Sequence, residues 1–549
     1  MAASAGALGS FVNAAQGSIV SPALPVFYVR NFGAAGDGKT LDSDNINRAI
    51  NACSAAGGGI VYVSPGIYLC GSVILQSNVT FYLEAAATIL GSTKLSDYSG
   101  DPNVHGDANS RHLIFARDAD NVSLAGTGII DGQGPSFWVP SDRKPLPPED
   151  AWRDVAAYVH KALPRPSPLL EFYNCRNLRI EDIRIHNSPG WTLRPINCDN
   201  VFIRGVEIKN PITGSNTDGI DVTCCQNVFI SDCTIDTGDD CICLKSESPA
   251  FYSTQPPRVT KNVIVTNCIL TTCCNGFKFG TATRGGYENI TFSNSVIYND
   301  DVTYPNRVIS GLDIAIVDGG SIDGVVISNI RMQRVRTPIF IRRGNRHSAP
   351  DGNPGTVRGI QIDNIHASGS ILTSSITGLP GFPVEDVSIS NVRIDTEEPG
   401  LAEWASREIP EEADKYPESR MFGRLPAHGF YVRHVDGLRL RNIDISATKT
   451  EARPVIVCDD VANLEIDGLR STSTIGSLPT IKLIQTRRAM LRNCVAPPKT
   501  AIFLAVEGGQ SERIVLMSSD LTDATRTHEI AADVPGGKVV LGANLPPTI

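Results

Sequence analysis

Three aspartates, Asp218, Asp239 and Asp240, stand in two short motifs, NTDGID at 216–221 and TGDDCI at 237–242. Asp239 follows Asp218 by 239 − 218 = 21 residues. Carboxyl groups held close together can divide acid and base work between them. One, kept protonated, gives its proton to a leaving oxygen, while one or two ionised partners orient and deprotonate a water on the opposite face. Adjacent like charges raise one pKa and so supply an acid near neutral pH. That set of groups suits hydrolysis of a glycosidic bond. Asp-Asp and Asn-Thr-Asp-Gly are also ordinary turn sequences, so the motifs need an architecture that brings them together.

The gap between them holds a strand-like run, Asn227-Val228-Phe229-Ile230, then Cys233 and Ile235. One turn of a solenoid would fill it and place Asp218 and the Asp239/Asp240 pair on neighbouring coils. Stacked strands sit about 4.8 Å apart, and a lateral offset carries carboxylates toward the roughly 6.5–9.5 Å used by inverting glycosidases. The rest of the chain shows such a repeat. A turn residue followed by alternating apolar positions starts at Asn78, Asn121, Asn177, Asn200, Asn227, Asn262, Asn289, Gly324, Gly359, Asp386, Gly437 and Asn463. From Asn177 the starts differ by 23, 27, 35, 27, 35, 35, 27, 51 and 26 residues. Spacing in the twenties with loops of variable length predicts an all-β chain, a single parallel β-helix from about 60 to 545. Stripes with a 3.6-residue period are absent except from Asp42 to Ala56. There Ile46, Ala49, Ile50 and Cys53 recur at helical spacing behind Asp44 as cap, and this short helix is expected to cover the open N-terminal end. Long breaks at 135–168, 246–260 and 395–428 mark loops, and the first and last are expected to wall a groove. A row of strands forms a long trough, which suits a polymer or oligomer.

Composition narrows the partners. Lys and Arg number 49 against 58 Asp and Glu, so the net charge is 49 − 58 = −9. That balance argues against nucleic acid, yet a local basic groove can still hold a polyanion. No apolar run after residue 25 is long enough to span a membrane, and no membrane partner is expected. Of the fourteen cysteines, none shows zinc spacing. Cys224-Cys225, Cys241, Cys243 and Cys273-Cys274 fall inside repeat units and read as small apolar residues stacked within coils. Export would permit disulfides. His186 and His428 lack ligand spacing, so neither metal nor cofactor is expected. Residues 1–25, small and uncharged, read as a signal-peptide remnant or a disordered N-terminus. Residues 26–549 then form one catalytic domain, a monomer, in a periplasmic or secreted protein.

The paired motifs occur with RPSPLLEFYNC at 165–175, NSPGWTLRP at 187–195, DGQG at 131–134 and MFGRLPAHGFYVRH at 421–434. Together they resemble the polygalacturonase family, glycoside hydrolase family 28, and especially its bacterial exo-acting branch. The resemblance covers roughly 28–470. It implies a right-handed parallel β-helix and inverting hydrolysis of galacturonic-acid linkages in polygalacturonan or rhamnogalacturonan. Carried onto this sequence, it makes Asp239 the general acid, with Asp218 and Asp240 holding the attacking water, and no metal or cofactor.

Two positions depart from the family pattern. Its Gly-His-Gly after a Cys reads Cys274-Asn275-Gly276 here, and its Arg-Ile-Lys falls in Gly311-Leu312-Asp313-Ile314-Ala315. A galacturonate carboxylate still calls for a cation, ideally bidentate. The candidates are Lys278, Lys245, Arg284, Arg194 and the cluster of Arg342, Arg343 and Arg346. Asn216, Asp221 and Asn275 join them as polar contacts within the motifs, and Trp191 could stack on a sugar ring or stand as a wall. Two other readings suit a β-helix. A lyase would need clustered acidic Ca²⁺ ligands and a basic residue at the cut. A carbohydrate-binding or adhesin β-helix would have no use for three intact aspartates.

Overall fold

The computed structural model describes residues 25–547, apart from 102, 105, 145, 155–158, 248–256, 306, 348–351 and 473–474. Alternation builds its strands. In Val79–Leu83, the side chains of Val79, Phe81 and Leu83 are fully buried while Thr80 and Tyr82 face outward. A period of two gives a strand one apolar face. The same inward pairs recur coil after coil in parallel register, Val201 against Val228, Val228 against Val263 and Val263 against Ile290. They stack into one continuous apolar core. Every pairing of the long sheet is parallel, and the chain winds as a right-handed β-helix.

The turn residue of the repeat has its own physical role. Asn78, Asn121, Asn177, Asn200, Asn227, Asn262 and Asn289 all have φ between 54° and 63°, in the left-handed region that asparagine tolerates. From Asn121 on, each carboxamide donates to the one on the coil before it, the longest bond being 3.2 Å. A ladder of amides therefore runs along one corner of the solenoid.

The solenoid is longer at its start than the repeat implies. Val26–Tyr28 already pairs with Ile60–Tyr62, and the last strand is Val539–Leu541. The helix spans Ser43–Ala55 and buries Ile46, Ala49, Ile50 and Cys53. Asp42 stands at its N-cap and Asp44 lies in the first turn, which corrects the expected cap. The Asp42 carboxylate instead accepts from the backbone of Ala35 (2.7 Å) and Gly36 (2.9 Å), tying the preceding loop to the helix. All fourteen cysteines are buried, and none is in a disulfide. Among the described residues, no helix is long and apolar enough to cross a membrane.

Candidate active site

Six strands form the floor of the trough: Leu170–Tyr173, Leu193–Ile196, Ile220–Thr223, Ile242–Lys245, Asn275–Phe279 and Ser310–Ile316, each paired in parallel with the next. The aspartates sit just ahead of the third and fourth. Backbone bonds run from Thr192 N to Asp218 O (2.9 Å), from Gly219 N to Asp240 O (2.8 Å) and from Cys241 N to Asn275 O (2.9 Å). Asp218 and Asp240 thus occupy adjacent coils, one strand spacing apart, as the 21-residue gap predicts. Gly238 N donates to Thr217 Oγ1 at 3.0 Å and locks the two turns together. The hydroxyls of Thr237 and Thr272 both donate to the Asp239 carbonyl, at 2.6 and 2.5 Å.

Charges behind these turns sort the carboxyl groups. Burial would raise Asp240, but the Lys278 ammonium 3.0 Å away, Lys245 and the Asn275 carboxamide (2.8 Å) outweigh it. Together they hold Asp240 below the usual carboxylate range. Burial, reinforced by the Asp240 charge, pushes Asp239 up to about 7. Burial and the charges of Asp221 and Asp239 push Asp218 well above its ordinary value, with Lys245 opposing from 3.8 Å. The arrangement therefore holds an ionised carboxylate, Asp240, beside a carboxylic acid, Asp239. Carboxyl oxygens of Asp239 and Asp240 and the Cys274 sulfur lie within 4.8 Å of one another. The Lys278 ammonium already lies against Asp240, so these donors suit that side chain better than a metal ion.

Most of the expected substrate contacts are as deeply buried as Asp218 and Asp240. Asp221, Asn275, Lys278, Arg194 and Lys245 are 0, 0, 1, 2 and 7% exposed. Outward-pointing strand residues should face solvent, but the side chains and loops packed on this trough cover them. Lys245 donates to Asp221 at 2.6 Å and Lys278 to Asp240, so both ammoniums are engaged by the carboxylates they were expected to accompany. Trp191 lies between two cations, 5.0 Å from the Arg194 guanidinium and 4.6 Å from the Lys245 ammonium. Arg284 is elsewhere. It faces Glu247 at 3.6 Å and lines a separate 490 Å³ cavity with Gly285, Gly286 and Ser321. Arg342 donates to the Gly378 and Glu411 carbonyls, and Arg346 forks onto Asp318 at 2.9 and 2.7 Å. Asp313, where the family pattern has its cation, is fully buried in register with Lys278, and burial pushes its carboxyl well up.

Of the expected contacts, Asn216 joins Asp239 in lining a cavity of about 790 Å³. Its other walls come from the two long loops. Arg143, Leu146, Asp150 and Arg153 belong to the first, and Glu412, Lys415, Tyr416, Glu418, Arg420 and Met421 to the second. The loops meet across the trough. Arg420 donates to the Arg153 carbonyl, Arg336 donates to the carbonyls of Trp152 and Asp154, and Arg424 stacks 4.6 Å from the Trp152 ring. The first loop is stiffened by an antiparallel hairpin, Trp138–Pro140 with His160–Ala162. Of the third expected loop, 248–256 lies outside the described residues.

Sequence reasoning also missed Arg165. Its buried guanidinium donates to the carbonyls of Pro189 (2.8 Å) and Ser215 (2.7 Å), and so clamps the turns that carry Trp191 and Asp218. The RPSP motif around it was visible, but the partners lie 24 and 50 residues away.

A family model described as glycosyl hydrolases family 28 matches residues 68–413. The chain belongs to that family. As a family 28 glycoside hydrolase it is similar to a probable polygalacturonase of Vitis vinifera, 26% identical over 409 residues, which are 70% of this chain and 77% of that protein. It is also similar to an exo-poly-alpha-D-galacturonosidase of Dickeya chrysanthemi, 26% identical over 345 residues, 56% of this chain and 55% of the relative. Among solved structures, an exopolygalacturonase from Thermotoga maritima superposes with a TM-score of 0.56 at 23% identity, over 77% of this chain and 91% of that one. The likeness supports the parallel β-helix fold.

Proposed function

We propose that this family 28 enzyme removes galacturonate from one end of pectic chains or oligosaccharides by inverting hydrolysis. The observation that carries the reading is Asp239. Its carboxyl, raised to about 7, lines a cavity closed on two sides by loops that touch each other. A carboxylic acid still protonated near neutrality can protonate the leaving oxygen. Asp240, held ionised by Lys278, deprotonates the water, and Asp218 on the adjacent coil orients it. Carboxyl oxygens of Asp239 and Asp240 lie within 4.8 Å of one another, closer than the roughly 6.5–9.5 Å usual for inversion, so the inverting reading rests on the family and the anomer of the product decides it. A bridged trough favours a chain end over a chain interior, and the relatives named for exo-action lend support. Arg143, Arg153, Lys415 and Arg420 stand in the wall among Asp150, Glu412 and Glu418, and a uronate carboxylate would compete with these acids for a cation, since the strand cations of the family pattern are missing. The same family and fold support a soluble polysaccharide substrate met outside the cytoplasm.

Product analysis tests this. Polygalacturonate and rhamnogalacturonan oligosaccharides are each incubated with the wild type and with Asp239→Asn. Monomeric galacturonic acid of inverted anomeric configuration, released by the wild type and slowed about a thousandfold or more in the variant, is the expected result. Longer saturated fragments would mean endo-cleavage, and unsaturated ends would mean a lyase.

A further inference from the structure

Tyr416 reaches the catalytic carboxylates from an inserted loop, and it lies just past residue 413, where the family match ends. Its hydroxyl oxygen accepts a hydrogen bond from Lys278 Nζ at 3.1 Å, across a separation of 138 residues. An ammonium has only donors. With its oxygen taken by Lys278, the phenol keeps its own hydrogen to donate elsewhere. The ring is gripped between cations, 5.1 Å from Lys278 Nζ and 5.4 Å from the Arg346 guanidinium. Asp318 holds that guanidinium with two bonds. The backbone beside it is pinned as well. Arg342 donates to the Glu411 carbonyl at 2.6 Å, and Asn345 N donates to the Ala413 carbonyl at 2.6 Å. Despite these restraints Tyr416 is 47% exposed and lines the cavity together with Asp239 and Asn216.

We propose that the Tyr416 hydroxyl donates a hydrogen bond to the sugar seated beside Asp239, which makes Tyr416 a substrate-contacting residue supplied by the loop and not by the solenoid. Lys278 fixes the oxygen of that hydroxyl and also the carboxylate of Asp240, 3.0 Å away. The group that reads the sugar and the group that activates water thus share one buried cation. The inference rests on the galacturonan reading above.

Tyr416→Phe tests it, since the substitution keeps the ring and its stacking and removes only the hydroxyl. Two quantities are read on galacturonan oligomers. One is kcat/KM with wild type and Tyr416→Phe, and the other is oligomer affinity by calorimetry in an Asp239→Asn background with and without the change. A lost hydrogen bond to substrate is expected to lower both by about tenfold. Unchanged affinity with a shifted pH profile would show that the hydroxyl serves only Lys278 and would overturn the contact. Unchanged values throughout would overturn the inference alone, because the wild type remains active. A wild type that neither cleaves nor binds the oligomers sinks the galacturonan reading, and the inference with it.

Discussion

One row of outward-pointing side chains runs the length of the trough, and it changes character part-way. On the upstream coils it carries charge: Glu171 beside Arg194, then Asp221, Cys243, Lys278 and Asp313 in successive register. Downstream the same row continues as Phe340, Ser375, Tyr431 and Val457. There Ile409, Phe422, Leu425 and Ala427 of the inserted loop close over Phe340, Tyr431 and Val457 in a small core separate from that of the solenoid. Backbone and register are alike in the two stretches, so only the side chains decide between chemistry and anchorage. The requirements differ too. A large apolar side chain gains about 1.5–3 kcal/mol wherever it is buried, whereas a buried charge is stable only with its partner in place. The anchor can be repacked. In the charged row, removing Lys278 leaves Asp240 uncompensated.

The sharpest way to break this comparison is pH. If burial and the Asp240 charge beside the upstream row set Asp239 near 7, kcat/KM falls tenfold per unit above that value, about a hundredfold by two units. The acid side stays flat while the depressed Asp240 remains ionised. Initial rates measured across this range check it, and a limb near the ordinary carboxylate value would erase the distinction between the rows. Stability follows with the opposite demand. A carboxyl whose folded pKa is raised binds its proton more tightly in the folded state. Its contribution is therefore greatest below the unfolded value of about 3.9 and is lost as pH rises toward 7. Asp239→Asn should gain on the wild type in melting temperature across that window.

The next effect tests the anchor. Phe422, 4% exposed, is expected to loosen the loop when changed to Ala, at a local cost of about 3–5 kcal/mol. Activity on chain ends should drop about tenfold and longer products should appear, with the pH limb unmoved. Product chromatography and limited proteolysis of 397–429 would show both. A displaced limb would mean that the two rows are not independent. The smallest effect belongs to the opposite corner. Asn227→Ala removes two rungs of the amide ladder and strains a φ of 55°, costing about 1–2 kcal/mol. Asn227→Gly should cost less, and denaturant melts should show either change with kcat intact.

Much of this was legible in the sequence, for identifiable reasons. The coils announced themselves because each needs a turn residue in the left-handed region and two inward apolar positions, a local signal that repeats. Asp218, Asp239 and Asp240 could be placed on adjacent coils because residue spacing maps directly onto a solenoid. The burial of Arg194, Lys245 and Lys278 was not legible. Alternation shows which side chains leave the core, but it does not show that loops then cover them. The contacts of Tyr416, of Arg165 and between the loops could not be read, since their partners lie tens to hundreds of residues away and obey no period.

The bridge between the two long loops also bears on how the enzyme works through a polymer. On the exo reading proposed above, the joined loops would bar the far end of the trough to a chain that continues past the cut. Free galacturonate would then compete with each new chain end for the place beside Asp239, and initial rates with added monomer would show that inhibition.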